Sequence, residues 1–365
     1  MNRYRVCVYA ICKNEEAFVD GWVDSMAEAD EIVVTDTGST DGTIERLRAR
    51  GVTVYSETIK PWRFDVARNI SLRHVPDEAD VCVCTDLDER FEPGWRAALE
   101  RVWQPGTTSG RYIYNWSLKP DGTPAIQFTY FKVHVKKNFQ WICPVHEYLV
   151  WTAEVPQQIV RIPGMVLNHY PDPKKSRSSY LPLLETAVEE APNDDRMVHY
   201  LGREYMFVKE WDKCIAMLRR HVEMPSSTWP EERCASMRWI ALAYHRLGKR
   251  KEALRWYYRA IAEAPHMREP FVEAGAFAYE TQNWPLTLLF MESALAITEK
   301  STVYVNTEQA WDHTPHDLAA IAACRMGMRE RALPHAKEAC ALAPEDLRLR
   351  RNLEILEKGF ECGEC

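Results

Sequence analysis

"VCVCTDLDER", residues 81–90, runs four apolar residues straight into two carboxylates spaced one apart, Asp86 and Asp88. A short continuous apolar run suits a strand in a sheet covered on both faces. Two carboxylates at its end repel each other unless a cation or hydrogen-bond donors neutralise them, because burying unpaired charge is costly. Oxygen ligands on a flexible turn suit Mg²⁺ or Mn²⁺, which keep waters and bind substrate phosphates as well. In an extended segment Asp86 and Asp88 point the same way, with Leu87 opposite, so both can converge on one ligand. A structural role is the alternative: the pair can cap the helix that begins near "EPGWRAALERVW".

Working outward, three more strand-like runs precede this one: "RVCVYAIC", "EIVVTDT" and "VTVYSET". Helical patterns lie between them, in "EEAFVDGWVDSMAEA", with Phe18, Trp22 and Met26 four apart, then "TIERLRARG" and "DVARNISLRHV". Alternating strands and helices predict a mainly parallel sheet with right-handed crossovers. From about residue 110 the pattern changes to "RYIYNWSL", the turn residues Asp121 and Gly122, and "TPAIQFTYFKVHVKK". This predicts a hairpin added to the sheet.

Beyond "HYPDPKKSRSSY" a repeat takes over. Gly248, Tyr257 and Ala260 align with Gln282, Met291 and Ala294 at a shift of 34 residues, the helix-turn-helix period of tetratricopeptide repeats. With "YLGREYMFVKEWDKCIAML" before and "AAIAACRMGMRERALPHAKEACALAP" after, about four units are expected, enough to bury a shared core by stacking. Aromatics such as Trp211, Trp239, Trp256 and Trp284 read as packing residues of that stack. The organisation expected is residues 1–172 for the α/β domain, 173–355 for the helical repeats and 356–365 for a tail.

Composition bounds the function. The 365 residues suffice for two domains, and 46% hydrophobic with 27% charged residues is ordinary for a soluble globular protein. A formal charge of −7 disfavours a protein whose main work is gripping nucleic acid over a broad basic face. No apolar run is long enough to span a membrane, and "MNRYRVCVYAICKNEE" lacks the form of a secretory signal, so a cytoplasmic location is expected. Eleven cysteines scattered through strands and helices read as mostly reduced core residues. The terminal "CGEC", Cys362 to Cys365, has metal or redox spacing, but a single such pair reads first as a tail.

Two further segments carry chemistry. "TDTGSTDGT" puts Asp36 at a strand end, followed by a tight loop opening a helix; a turn with a helix cap accounts for it equally well. Asp65, Arg68 and Asn69 share one face of a helix that Phe64 can staple, with a surface salt bridge from Asp65 to Arg68 as the plain alternative.

The ordered set "AICKNEE", "VVTDTGSTDGT", "FDVARN" and "TDLDE", with "VHE" and "NHY" downstream, resembles family-2 glycosyltransferases of the GT-A fold. The nearest subgroup is that of bacterial lipopolysaccharide β-glucosyltransferases and bacteriocin-peptide glycosyltransferases, which often carry tetratricopeptide repeats behind the catalytic domain. The resemblance implies an α/β GT-A domain, Rossmann-like with a mainly parallel sheet, followed by an all-α tetratricopeptide-like domain. It also implies a site for a nucleotide-sugar donor. Ala10 and Glu15 match nucleoside contacts, Asp36 the acidic reader of the uracil edge, and Asp86 a ribose contact. Arg68 lies near the nucleotide, either on the diphosphate or bracing Asp86. Asp88 and His169 match metal ligands for Mn²⁺ or Mg²⁺, Glu147 the general base, and His146 a substitute for either role. The chain departs from the common pattern in Leu87, where many relatives have alanine, and in "HYPD", which lacks the glycine that often follows this histidine.

The expected activity is metal-dependent, inverting transfer of a hexose, glucose by analogy with the subgroup, from a UDP-sugar to a glycan, a peptide or a modified DNA base. The repeats are then expected to present the acceptor or to form a homodimer. A non-catalytic tetratricopeptide adaptor with a vestigial nucleotide-sugar domain is the competing reading. A sugar nucleotidyltransferase would want a glycine-rich basic loop after the first strand, where "CKNEE" stands.

Overall fold

The four apolar runs form β1 (Val6–Cys12), β2 (Glu31–Asp36), β3 (Thr53–Ser56) and β4 (Val81–Cys84), all mutually parallel. The structure is a computed structural model and describes residues 4–172 and 179–358. The chain divides into two units, Met1–Ala187 and Val188–Cys365. The boundary read at residue 173 and the terminal CGEC lie outside the described residues.

Every residue of β1 and β4 is buried, which explains why these strands read as unbroken apolar runs and not as alternations. Helices α1 (Val19–Met26), α2 (Thr43–Ala49) and α3 (Phe64–His74) make the connections. On α1, Val19, Trp22, Val23 and Met26 form the buried stripe of an amphipathic helix, and the Trp22 indole donates to the Thr85 hydroxyl at 3.0 Å, just past β4.

The hairpin expected after residue 110 is β6 (Ser109–Leu118) and β7 (Pro124–His134), turning at Gly122 with φ +83°, and it joins β4 antiparallel. Four further strands, β10 (Ile159–His169) among them, were not legible beforehand. β5 (Glu89–Phe91) is three residues long, too short to show a period. β8 (Phe139–Ile142) and β9 (Tyr148–Trp151) form a separate two-stranded ribbon. The main sheet has the order β3-β2-β1-β4-β7-β6-β10-β5. The strand order reverses direction at β1, with β2 on one side and β4 on the other, so the crevice beyond its carboxyl end is the natural ligand position of an open α/β sheet. Helix α4 (Trp95–Val102) follows β5, and α5 (Tyr180–Glu190) follows β10.

In the second unit the described residues form antiparallel helix pairs: α6 (Asp195–Phe207) with α7 (Trp211–Glu223), α8 (Pro230–Arg246) with α9 (Arg250–Glu263), α10 (Glu269–Glu280) with α11 (Trp284–Leu295), and α12 (Thr314–Arg325) with α13 (Arg329–Leu342). Helix α14 (Leu347–Lys358) follows. The turn inside each pair has one left-handed residue: Lys209, Gly248, Gln282 or Gly327, with φ between +56° and +74°. The next amide in each case reaches back to a carbonyl five residues earlier, as in Glu210 to Tyr205 and Lys249 to Tyr244, both at 2.9 Å. This Schellman closure satisfies the last helical carbonyls, which is the physical reason for the recurrence seen in the sequence. The unit is a tetratricopeptide-like stack. No described helix of the chain is long and apolar enough to cross a membrane. Cys7, Cys12, Cys82, Cys84, Cys214 and Cys234 are buried free thiols.

Candidate functional site

Residues 86–88 are not extended. After β4 the chain turns at Leu87 and Asp88, Leu87 drops into the core at 1% exposure, and Glu89 starts β5. This corrects the expectation that both carboxylates aim at one point because of strand alternation. β5 crosses to the far edge of the sheet and pairs antiparallel with the end of β10, placing Glu89 opposite His169. The Tyr170 amide donates to the Asp88 carbonyl at 2.7 Å and extends that ladder. Two residues 81 positions apart in sequence thereby meet: His169 Nε2 lies 3.7 Å from Asp88 Oδ2.

The other face of the His169 ring is fixed too. Its Nδ1 is 3.0 Å from the Trp116 carbonyl, which can only accept, so Nδ1 carries the proton and Nε2 points at Asp88. Trp116 stacks on the ring with centroids 4.7 Å apart. A carbonyl holding one imidazole nitrogen while the other faces a carboxylate is the arrangement in which histidines are oriented as metal ligands. Burial disfavours the imidazolium of His169, but the Asp88 hydrogen bond, the Trp116 carbonyl and the charges of Asp88 and Glu89 outweigh it and raise its pKa above the ordinary value.

Asp86 has different partners. Arg68 Nη2 reaches its Oδ1 at 2.5 Å and Lys132 Nζ its Oδ2 at 3.2 Å. Neither Asp86 nor Asp88 takes the first amides of α4; those of Gly94 and Arg96 go to Glu28. Arg68 also donates from Nε to Glu147 Oε1 at 3.0 Å and lies over the Trp141 ring. The surface pairing considered for Arg68 is absent: Asp65 is bound by Arg63, and Arg68 turns inward to 3% exposure. Desolvation works against the charge of both Arg68 and Lys132, yet the surrounding carboxylates raise both pKa values well above the ordinary ones.

Sequence reasoning missed Glu89, Lys132 and Tyr114. Glu89 is buried, accepts from the Tyr114 hydroxyl at 2.7 Å and the Asp86 amide at 2.9 Å, and has Lys132 Nζ at 3.8 Å. Burial raises the Glu89 pKa, and the Lys132 charge opposes that rise. The available signal was the lysine in "TYFKVHV", a charge within an otherwise apolar, aromatic strand. Among the described residues, four carboxylates, Asp86, Asp88, Glu89 and Glu147, and two permanent cations, Arg68 and Lys132, gather around this point. The Asp88 carboxylate and the His169 imidazole offer the mixed oxygen and nitrogen donors that a divalent cation takes.

The remaining expected residues sit at neighbouring strand ends. Asp36 is 2% exposed, and its carboxylate accepts the amides of Gly38 at 3.0 Å and Ser39 at 3.1 Å. It therefore shapes its own loop, where Gly38 has φ +110°. Asn14 stitches the loops after β1 and β2 together, its amide donating to the Ser39 hydroxyl and its side-chain oxygen accepting from the Thr40 amide, both at 2.8 Å. The Glu15 amide donates to Thr43 Oγ1 at 2.8 Å. Ala10 is wholly buried within β1, and its carbonyl accepts from Ser71. His146 has φ +52° and packs edge-on against Tyr180, whereas its neighbour Glu147 turns to Arg68.

Within the first unit, residues 7–142 match the family model described as glycosyl transferase family 2. Among solved structures, glucosyl-3-phosphoglycerate synthase from Mycobacterium tuberculosis, determined with Mn²⁺, UDP and glucosyl-3-phosphoglycerate, is similar at 26% identity, covering 30% of this chain and 44% of that one, with a TM-score of 0.27. YrrB, a TPR protein with an unusual peptide-binding site, is similar at 16% identity over 48% of this chain and 82% of its own, with a TM-score of 0.39. A thermophilic TPR protein of Thermus thermophilus is similar at 17% identity over 50% of this chain and 91% of its own, with a TM-score of 0.36.

Proposed function

We propose that the protein is an inverting, metal-dependent glycosyltransferase that moves a hexose from a UDP-sugar to an acceptor. The observation that carries this reading is the meeting of Asp88 and His169 at 3.7 Å beside the carboxyl end of β4, within the family-2 domain. Asp88 and His169 would hold Mn²⁺ or Mg²⁺, which when bound supplies the positive charge that offsets the diphosphate as the nucleotide leaves. Asp36, rigid in its loop, supplies an acceptor for the base N3 donor, with Ala10 and Glu15 lining the nucleoside. Asp86, pinned by Arg68 and Lys132, is preset to accept from ribose hydroxyls.

Inversion requires a base facing the anomeric carbon from the side opposite the leaving nucleotide. Glu147 takes that role, with Arg68 on its Oε1 setting the carboxylate's direction; His146 is the substitute. The helical unit serves acceptor presentation, the acceptor being a glycan, a peptide or a modified nucleobase, or self-association. The test is hydrolysis and transfer from a panel of nucleotide sugars, UDP-glucose first, with Mn²⁺. Turnover should be present in the parent and abolished in Asp88→Ala. An undiminished rate in that variant overturns the reading, and an inert parent that binds no nucleotide favours the adaptor.

A further inference from the structure

The helical unit holds a second cluster of ligating side chains that the transfer reaction does not use. His199 on α6, His221 on α7 and Glu232 in the first turn of α8 are all buried, and one donor atom from each lies within 4.8 Å of the other two. Three helices from two successive hairpins thus converge on one point.

Hydroxyls hold these groups, and one of them joins the two imidazoles. Ser236 Oγ lies 2.8 Å from His199 Nδ1 and 2.9 Å from His221 Nδ1. The Tyr304 hydroxyl donates to Glu232 Oε2. That leaves Glu232 Oε1 facing His221 Nε2 at 3.5 Å, and the Ser227 hydroxyl at 3.0 Å from the same nitrogen. Two ligands bound at ~2.0–2.1 Å around a tetrahedral ion lie roughly 3.3 Å apart, close to that Nε2 to Oε1 separation.

His199 Nε2 supplies the independent sign. The ring is wholly buried, and this nitrogen has no hydrogen-bond partner. Either tautomer leaves a fault: Nε2–H lacks an acceptor, or the Nε2 lone pair lacks a donor, and the desolvation of that group goes uncompensated. A cation accepting that lone pair removes the fault and also neutralises the buried Glu232 carboxylate. A histidine held at one ring nitrogen by an oxygen, with the other nitrogen left for a ligand, is the usual arrangement of metal-binding imidazoles.

We infer that His199, His221 and Glu232 form a binding site for a divalent transition metal, zinc by its ligand set, which staples α6, α7 and α8 together. Two imidazoles and one carboxylate favour zinc over the hard ions Mg²⁺ and Ca²⁺, which take oxygen donors. The residues are 22 and 11 positions apart and form no short motif, so only the fold reveals them.

The test is a cobalt(II) titration of the full chain carrying Asp88→Asn, Cys362→Ser and Cys365→Ser, which removes a ligand of the acidic cluster and the terminal cysteine pair. One equivalent should bind with a visible ligand-field band, and zinc should displace it and raise the melting temperature. His199→Gln and Glu232→Gln should each abolish the band, with circular dichroism confirming the fold. If those variants do not fold, Ser236→Ala, which keeps all three ligands, should weaken binding about tenfold. A parent without a band or a zinc-induced melting shift overturns the inference, as does a band that survives in folded His199→Gln or an affinity unchanged in Ser236→Ala.

Discussion

The acidic cluster beside β4 and the imidazole cluster of the helical unit face the same problem, charge and polarity held away from water, and resolve it differently. Beside β4 the carboxylates are held by permanent cations, Arg68 and Lys132, and Asp86 keeps 32% side-chain exposure. In the helical unit the holders are hydroxyls, Ser236, Ser227 and Tyr304, and the ligating groups are shut in. Permanent cations fix charge in place around a partly exposed carboxylate, which suits the arriving and leaving diphosphate of the proposed reaction. Hydroxyls fix direction without supplying charge, which suits a closed structural site.

The cation-held side breaks most severely. Arg68→Met leaves Asp86 and Glu147 without their shared partner, and truncating one member of a buried ion network costs about 3–5 kcal/mol. Urea denaturation of the variant should show a loss of that size; a loss below about 1 kcal/mol would match an exposed pair and contradict the burial argument.

A hydroxyl-held imidazole in the first unit sharpens the contrast, because both its nitrogens are satisfied. The Trp141 indole donates to the Tyr9 oxygen at 2.9 Å, leaving the Tyr9 hydroxyl to donate to His134 Nε2 at 2.8 Å, while His134 Nδ1–H donates to the Val135 carbonyl at 2.7 Å. Burial lowers the His134 pKa from 6.5 to about 4, against the Val135 hydrogen bond. The unfolded chain takes up this proton first, so stability is full above pH 6.5 and falls as pH drops toward 4, by about 3 kcal/mol from this group. Denaturation midpoints across that window should fall less steeply in His134→Gln; parallel curves would refute the assignment.

The smallest effect lies in the helical turns. Gln282 occupies, at φ +56°, the position that Gly248 and Gly327 fill elsewhere. Gln282→Gly should raise stability by about 0.5 kcal/mol, since relief of the left-handed backbone exceeds the entropy glycine adds. A loss of stability would show that the glutamine side chain has a contact of its own.

These sites differ in how far the sequence announced them. The parallel strands were legible because buried runs such as "VCVC" leave no alternation, and the repeats because each turn must supply a left-handed residue at a recurring offset. Asp86 and Asp88 stood out as charges just past a strand end, and Arg68 as a charge sharing one helix face with Asp65 and Asn69. The Asp88 to His169 contact depends on β5, three residues whose pairing with β10 no local pattern encodes. Glu89, Lys132 and the His199 cluster were hidden because their meaning lies in partners distant along the chain.

Calorimetric titration of UDP into the full chain, with and without Mn²⁺, tests the central claim most directly. Binding should require or be strongly enhanced by the ion, and Asp88→Ala should remove that enhancement while leaving the fold intact. Nucleotide affinity indifferent to Mn²⁺ in the parent, or an ion dependence that persists in Asp88→Ala, would contradict the account.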